Sequence, residues 1–257
     1  MPRRLATTPL GLGLECALVA LAAACAHGPS ARERESAEIH YNLGTDALRN
    51  GRAQDALKEY DEALKLDERF ADAHLGRGLV LEAAFGRSEE AEREYRRALE
   101  LRPGYSEAHN NLGQLLARTG RFDEALKHLE AALQNMLYKE PWVARCNKGQ
   151  ALWRMGKRDE GLAEFRSCLT LAPRFCQGHR ELGRLWLADG KAREAVEAFT
   201  QYARACERAP DAWYQLGLGH LRAGDADRAR EALDKCLGLG AEGSLAEECR
   251  RAREPLR

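Results

Sequence analysis

SEAHNNLGQLLARTGRFDEALKHLEAALQ, residues 106–134, is the stretch whose reading decides the fold. Four of its residues belong to series that run along most of the 257-residue chain. Gly113 belongs with Gly44, Gly78, Gly149, Gly183 and Gly217, at spacings of 34, 35, 36, 34 and 34. Gly120 belongs with Gly51, Gly86, Gly156, Gly190 and Gly224. Ala125 belongs with Ala56, Ala91, Gly161, Ala195 and Ala229, and Leu129 with Tyr60, Tyr95, Phe165, Phe199 and Leu233. A period of about 34 residues held through several units marks a repeat of paired helices.

Each series has a physical task. The first glycine falls inside one helix and the alanine inside its partner, and small residues there let antiparallel helices approach closely. Glycine weakens a helix, so its recurrence at one register implies packing. The second glycine falls between the two helices, where it ends a helix in the left-handed conformation at little cost. The aromatic or leucine series fills the gap between helices. Pro103 and Pro173 close second helices. Two insertions interrupt the rhythm, in FGRSEEA (Phe85–Ala91) and in YKEPW (Tyr138–Trp142).

This pattern resembles the tetratricopeptide repeat. It implies an all-α solenoid of six helix-turn-helix repeats over residues 37–243, divided as 37–70, 71–105, 106–139, 142–175, 176–209 and 210–243. Ser244 followed by Glu247 reads as a capping box, which predicts a terminal helix at 244–254 in a closing segment 244–257. Such a helix covers the last apolar face, as solenoids require.

The start of the chain reads as a processing signal. Arg3 and Arg4 precede an apolar run, Leu10–Ala24, too short to span a bilayer as a mature helix. The run ends LAAAC, Leu21–Cys25, which resembles a bacterial lipobox. Residues 1–24 are then a lipoprotein signal peptide, Cys25 the lipidated first residue and 25–36 a polar tether. By resemblance to bacterial sorting rules, Ala26 points to the outer membrane. Glu15 within the run and Ala22 leave an ordinary secretory signal cleaved near Ala24 as the alternative.

Six cysteines follow: Cys146, Cys168, Cys176, Cys206, Cys236 and Cys249. In an exported chain an even number suggests disulfides. Residues equidistant from the turn of a helical hairpin face each other. Cys146 and Cys168 are equidistant in this sense, as are Cys176 and Cys206, and Cys236 and Cys249 flank the junction with the closing helix. The expected bridges are Cys146–Cys168, Cys176–Cys206 and Cys236–Cys249. Buried free thiols at Cys168 and Cys236, in a register that favours small residues, are the alternative.

Composition and motifs narrow the function. Forty basic and forty acidic residues give a net charge of zero, which offers nucleic acid no electrostatic footprint. His40, His74, His109 and His179 share the fourth repeat position. Successive units stand about 10 Å apart, too far for one ion to gather ligands at about 2 Å, so no metal or other cofactor is expected. Acidic pairs such as Asp123–Glu124 and Asp159–Glu160 suit the starts of second helices. The hydrolase, zinc-protease and phosphate-loop signatures are missing, so the expectation is a scaffold and not an enzyme. Its binding surface is expected on the inner faces of the first helices, at Tyr41, Leu48, Leu75, Leu79, Asn110, Gln114, Gln150, Trp153, Arg180, Arg184, Leu187, Tyr214 and Leu218. Leucine and tyrosine there suit an apolar peptide face.

QNMLYKEPWVARCNKG, residues 134–149, is similar to the LY-x-x-P-aromatic junction of the type IV pilus biogenesis lipoproteins, the PilF/PilW pilotins with Tgl of social gliding bacteria. The junction residues are Leu137, Tyr138, Pro141 and Trp142. FGRSEEA and PRFCQGHRELG (Pro173–Gly183) add to the likeness, and Lys148 departs from the apolar residue usual before Gly149. The resemblance implies a lipid-anchored protein on the periplasmic face of the outer membrane. It would bind subunits of the type IV pilus secretin, and other pilus-assembly proteins, and promote secretin assembly for twitching or social gliding. The rival expectation is a general periplasmic adaptor for cell-wall or envelope-assembly enzymes.

Overall fold

The computed structural model describes residues 28–256, so the signal peptide 1–24 and the lipidation site Cys25 lie outside the described residues. The described chain is all-α, with thirteen α-helices and a final 3-10 turn. It divides into two compact units, the first ending at Leu101 and the second beginning at Arg102.

The first unit holds two hairpins: α1 (Ala31–Arg49) with α2 (Ala53–Leu66), and α3 (Ala71–Ala83) with α4 (Ser88–Leu101). Helix α1 starts inside the stretch expected to be a tether. Ser30 caps it, accepting from the Glu33 N–H at 3.3 Å while the Glu33 carboxylate accepts the Ser30 N–H at 2.7 Å. This reciprocal box satisfies two backbone donors and draws residues 31–36 into the helix.

The second unit holds four hairpins and a closing helix. The hairpins are α5 (Ser106–Arg118) with α6 (Phe122–Gln134), α7 (Pro141–Arg154) with α8 (Arg158–Leu171), α9 (Cys176–Ala188) with α10 (Ala192–Ala205), and α11 (Pro210–Arg222) with α12 (Ala226–Gly238). Helix α13 (Gly243–Arg253) packs on α12, burying Ala246 and Cys249. It starts one residue earlier than expected. Its N-cap is Glu242, with no side-chain cap, so Ser244 sits within the first turn and makes no box.

Two of the sequence series prove to be partners. A Cβ added at Gly44, Gly78, Gly113, Gly149, Gly183 or Gly217 would come within 2.9 Å of Tyr60, Tyr95, Leu129, Phe165, Phe199 or Leu233 in turn. Those six side chains are at most 2% exposed, and burying one contributes about 1.5–3 kcal/mol. The missing Cβ thus makes the socket into which the second helix sets its large residue. The other glycine series takes positive φ, from 66° at Gly86 to 86° at Gly156, and turns the chain between the helices of every hairpin.

The fourth hairpin is the tightest. Gly161 stands in the alanine register, and a Cβ there would lie 2.7 Å from the Gly149 carbonyl oxygen. Cys146–Cys168 bridges the same two helices with a Cα separation of 5.4 Å. Cys176–Cys206 spans the fifth hairpin, and Cys236–Cys249 ties α12 to α13, at Cα separations of 6.0 and 6.6 Å. Lys148 is accounted for as well. Its ammonium lies 3.1 Å from both Glu130 on α6 and Glu164 on α8, pinning α7 between its neighbours.

Candidate functional site

First helices lie side by side within each unit, and their shared face is the candidate site. In the first unit this face is apolar and well packed. The Tyr41 ring packs at a tilt against Phe70 and Tyr60, with centroids 5.2 and 5.9 Å away. Leu48 leans on the Ala47–Tyr60–Val80 cluster. Leu79 is half-buried, whereas Leu75 is only 7% exposed and belongs to the core.

In the second unit the face is a ladder of polar side chains. Asn147 on α7 donates through Nδ2 to the Asn110 Oδ1 on α5 at 2.9 Å, and the Gln114 amide reaches the Asn147 Oδ1 at 3.4 Å. Gln150 donates to Glu181 on α9 at 3.3 Å. Glu181 also receives Arg180 at 3.3 Å and faces Arg184 at 3.8 Å. Arg180 lies 3.9 Å from Asp211 on α11, which accepts from the Tyr202 hydroxyl at 2.9 Å and the Gln215 amide at 3.2 Å. Burial, reinforced by the Asp211 charge, pushes the Tyr202 phenol up to about 12. Burial and Glu248 likewise raise Tyr214.

A recess of about 200 Å³ opens in this ladder between α5, α7 and α9. Gln114, Asn147, Gln150, Gln177 and Glu181 form its polar wall with Arg118 and Arg154, and the half-buried Phe175 contributes its aromatic part over the fully buried Phe165. It brings together amide donors and acceptors, two guanidinium groups, a carboxylate and one aromatic ring.

The structure sorts the thirteen expected groove residues. Gln114, Gln150, Arg180, Leu187, Tyr214 and Leu218 line the face half-buried, and Arg184 is exposed. Asn110 and Trp153 are 5% and 4% exposed and pack between helices, as Leu75 does. Trp153 meets Trp186 edge-on at 4.5 Å, and Asn110 spends its carbonyl on Asn147. Their helices run too close to their neighbours to leave these side chains open. Asn147, Glu181 and Asp211 were not expected in the ladder. The sixth repeat position had a signal, since it holds Asn111, Asn147, Glu181 and Gln215 in successive units.

The histidine row is also resolved. His40 and His74 each set Nδ1 2.7 Å from a carboxylate on their own hairpin's second helix, Glu59 and Glu94. No helix among the described residues is long and apolar enough to cross a membrane.

Comparison with known proteins sets this architecture in context. The sequence matches the tetratricopeptide repeat family over residues 41–91, 82–135, 146–210 and 180–244. A curated Caenorhabditis elegans protein, tetratricopeptide repeat-containing protein trd-1, is 23% identical over 135 residues, covering 52% of this chain and 17% of its own length. The chain therefore spans about a sixth of that relative. Among solved structures, PilW, a widely conserved type IV pilus biogenesis factor, superposes with a TM-score of 0.71 at 23% identity, over 82% of this chain and 96% of PilW. Pseudomonas aeruginosa PilF superposes with a TM-score of 0.65 at 22% identity, over 85% and 98%. A tetratricopeptide repeat protein of Parabacteroides merdae does so with a TM-score of 0.68 at 21% identity, over 85% and 84%.

Proposed function

The chain belongs to the tetratricopeptide repeat family, a class of protein-interaction repeats, and on that premise we propose that it is a pilotin-type scaffold for type IV pilus biogenesis. The observation that carries the reading is a fold shared with PilW and PilF over nearly the whole of those chains. It is joined by the Leu137-Tyr138-x-x-Pro141-Trp142 junction and the Leu21–Cys25 lipobox.

In this reading an acylated Cys25 holds the protein at the periplasmic face of the outer membrane. A single acyl chain binds a bilayer marginally, and further chains make the anchor stable. The first-helix face then keeps secretin subunits at high effective concentration beside the membrane they must enter. The first unit offers such a client an apolar face, and the second, by itself, an amide-rich recess.

The test is deletion of the gene, followed by gel analysis of unboiled outer-membrane extracts probed for the secretin. Loss of the high-mass multimer, restored by the wild-type gene but not by Cys25→Ala, supports both the pilotin role and the anchor. Multimers at normal levels would end the pilotin reading in favour of a general periplasmic adaptor.

A further inference from the structure

The three bridges differ in how far solvent reaches them. Cys146 is 6% exposed, and Cys168, Cys236 and Cys249 are wholly buried. Cys176 and Cys206 are only half-buried. A disulfide opens when a thiolate arrives at one of its sulfurs, so access limits the rate. Cys146–Cys168 and Cys236–Cys249 can be attacked only after their helices open locally. Cys176–Cys206 can be attacked in the folded protein.

The two ends of that bridge are unlike. Cys176 is the first residue of α9, directly after the N-cap Phe175, and Cys206 is the C-cap of α10. The bridge therefore closes the open end of the fifth hairpin, opposite the turn at Gly190. A helix N-terminus stabilises a thiolate, and a C-terminus disfavours one. Cys176 is then the better leaving group, and the sulfur to attack is that of Cys206.

Cys176 also stands at the recess between α5, α7 and α9. Its neighbours Phe175, Gln177 and Gly178, with Glu181 one turn on, all line that recess. On the other side this turn is wedged against the first bridge, since a Cβ at Gly178 would lie 2.8 Å from the Cys146 sulfur. The start of α9 is thus gripped between a buried bridge and a reachable one.

We propose that Cys176–Cys206 is a thiol–disulfide exchange site for a dithiol protein of the thioredoxin type, and that its reduction frees the α9 wall of the recess. The first thiolate of the dithiol bonds to the Cys206 sulfur. The bond between Cys206 and Cys176 breaks, and its electron pair leaves on Cys176, which takes a proton from water. The second thiol of the dithiol loses its proton and bonds to the first sulfur. That displaces Cys206 as a thiolate, which is protonated in turn. The dithiol becomes a disulfide, giving up two electrons and two protons, and the chain gains two thiols. The other two bridges stay closed, so the hairpins keep their fold while one side of the recess loosens. The proposal stands apart from the identity of any client.

The test begins with the purified, oxidised full-length chain, its free thiols blocked by N-ethylmaleimide. Limiting dithiothreitol is added at neutral pH, and new thiols are trapped with iodoacetamide for peptide mass spectrometry. Label should appear on Cys176 and Cys206 at least about tenfold faster than on the other four cysteines. A thioredoxin whose second active-site cysteine is replaced by serine should be captured on Cys206. In the selectively reduced chain, amide hydrogen exchange should accelerate across residues 174–181 and stay unchanged across 53–101. Another bridge opening first, or all three opening together, overturns the proposal. So does capture on Cys176, or unchanged exchange in 174–181 once Cys176–Cys206 is open.

Discussion

Gly161→Ala is the substitution that averaging the repeats would recommend, and the structure predicts that it is harmful. The same register holds Ala56, Ala91, Ala125, Ala195 and Ala229, all fully buried. Alanine is favoured over glycine in a helix interior by about 0.5–1 kcal/mol. At position 161, however, a Cβ would stand 2.7 Å from the Gly149 carbonyl oxygen and 3.0 Å from the Trp153 nitrogen. Both are backbone atoms and cannot rotate aside. The Cys146–Cys168 bridge across the same helices resists their separation. Overpacking of this kind costs about 1–3 kcal/mol, so the clash outweighs the gain in propensity by about 1–2 kcal/mol. In a domain of this size each kcal/mol moves the melting midpoint by about 2–4 °C, giving an expected fall of about 2–8 °C. Repeat arrays do not always melt in one step, so the transition is best followed locally. Trp153, buried beside the crossing, gives that signal in fluorescence. A variant that melts at or above the wild-type midpoint would refute the close approach of α7 and α8.

Three further outcomes follow from the same geometry. Cys249→Ala opens a bridge spanning 13 residues, worth about 3 kcal/mol in the chain-entropy account; hydrogen exchange should accelerate in residues 243–253 while the hairpins keep their protection. Lys148→Met restores the apolar pattern of the repeat but removes the cation between Glu130 and Glu164, at a cost of about 1–2 kcal/mol in a denaturant titration. Burial alone would lower the Lys148 pKa, but the two carboxylates outweigh it and raise it, so this contribution is full below the ordinary lysine range and fades only as pH rises beyond it. Tyr202, raised to about 12, stabilises the fold fully below its unfolded value near 10 and loses that contribution as pH climbs toward about 12; Tyr202→Phe should remove a late step from the phenolate absorbance titration.

Much of the fold was legible because the repeat writes each structural rule several times over. One glycine in a helix is ambiguous; six at one register, each paired in space with a large residue sixteen or seventeen places on, are not. Cysteine pairing was legible for a related reason, since a hairpin fixes which heights face each other. Contacts between neighbouring units were harder to read. Asn110 and Trp153 sit at inward-pointing positions yet are covered, because cover depends on how closely the next hairpin stacks. Asn147 and Glu181 joined the polar ladder one position beyond the expected row. Glu33 lay three places after Ser30, the same sequence signal as Ser244 and Glu247, but only the first pair forms a box. Near the chain's end the glycine at 243, with φ of 55°, begins the helix sooner and leaves Ser244 inside it.

The placement of the three bridges bears on how the molecule would yield to a pull along its chain. Hairpins held by side-chain packing alone can peel apart one after another. The stretches closed by the bridges, spanning 22, 30 and 13 residues, cannot lengthen while their sulfurs stay joined. At about 3.4 Å of extension per residue, the longest loop alone withholds about 100 Å. All three lie in the second unit, and the hairpins of the first carry none. Under tension the bridged stretches would act as fixed stops within the second unit, while the first unit and the third and sixth hairpins, whose paired helices no bridge joins, stay free to lengthen.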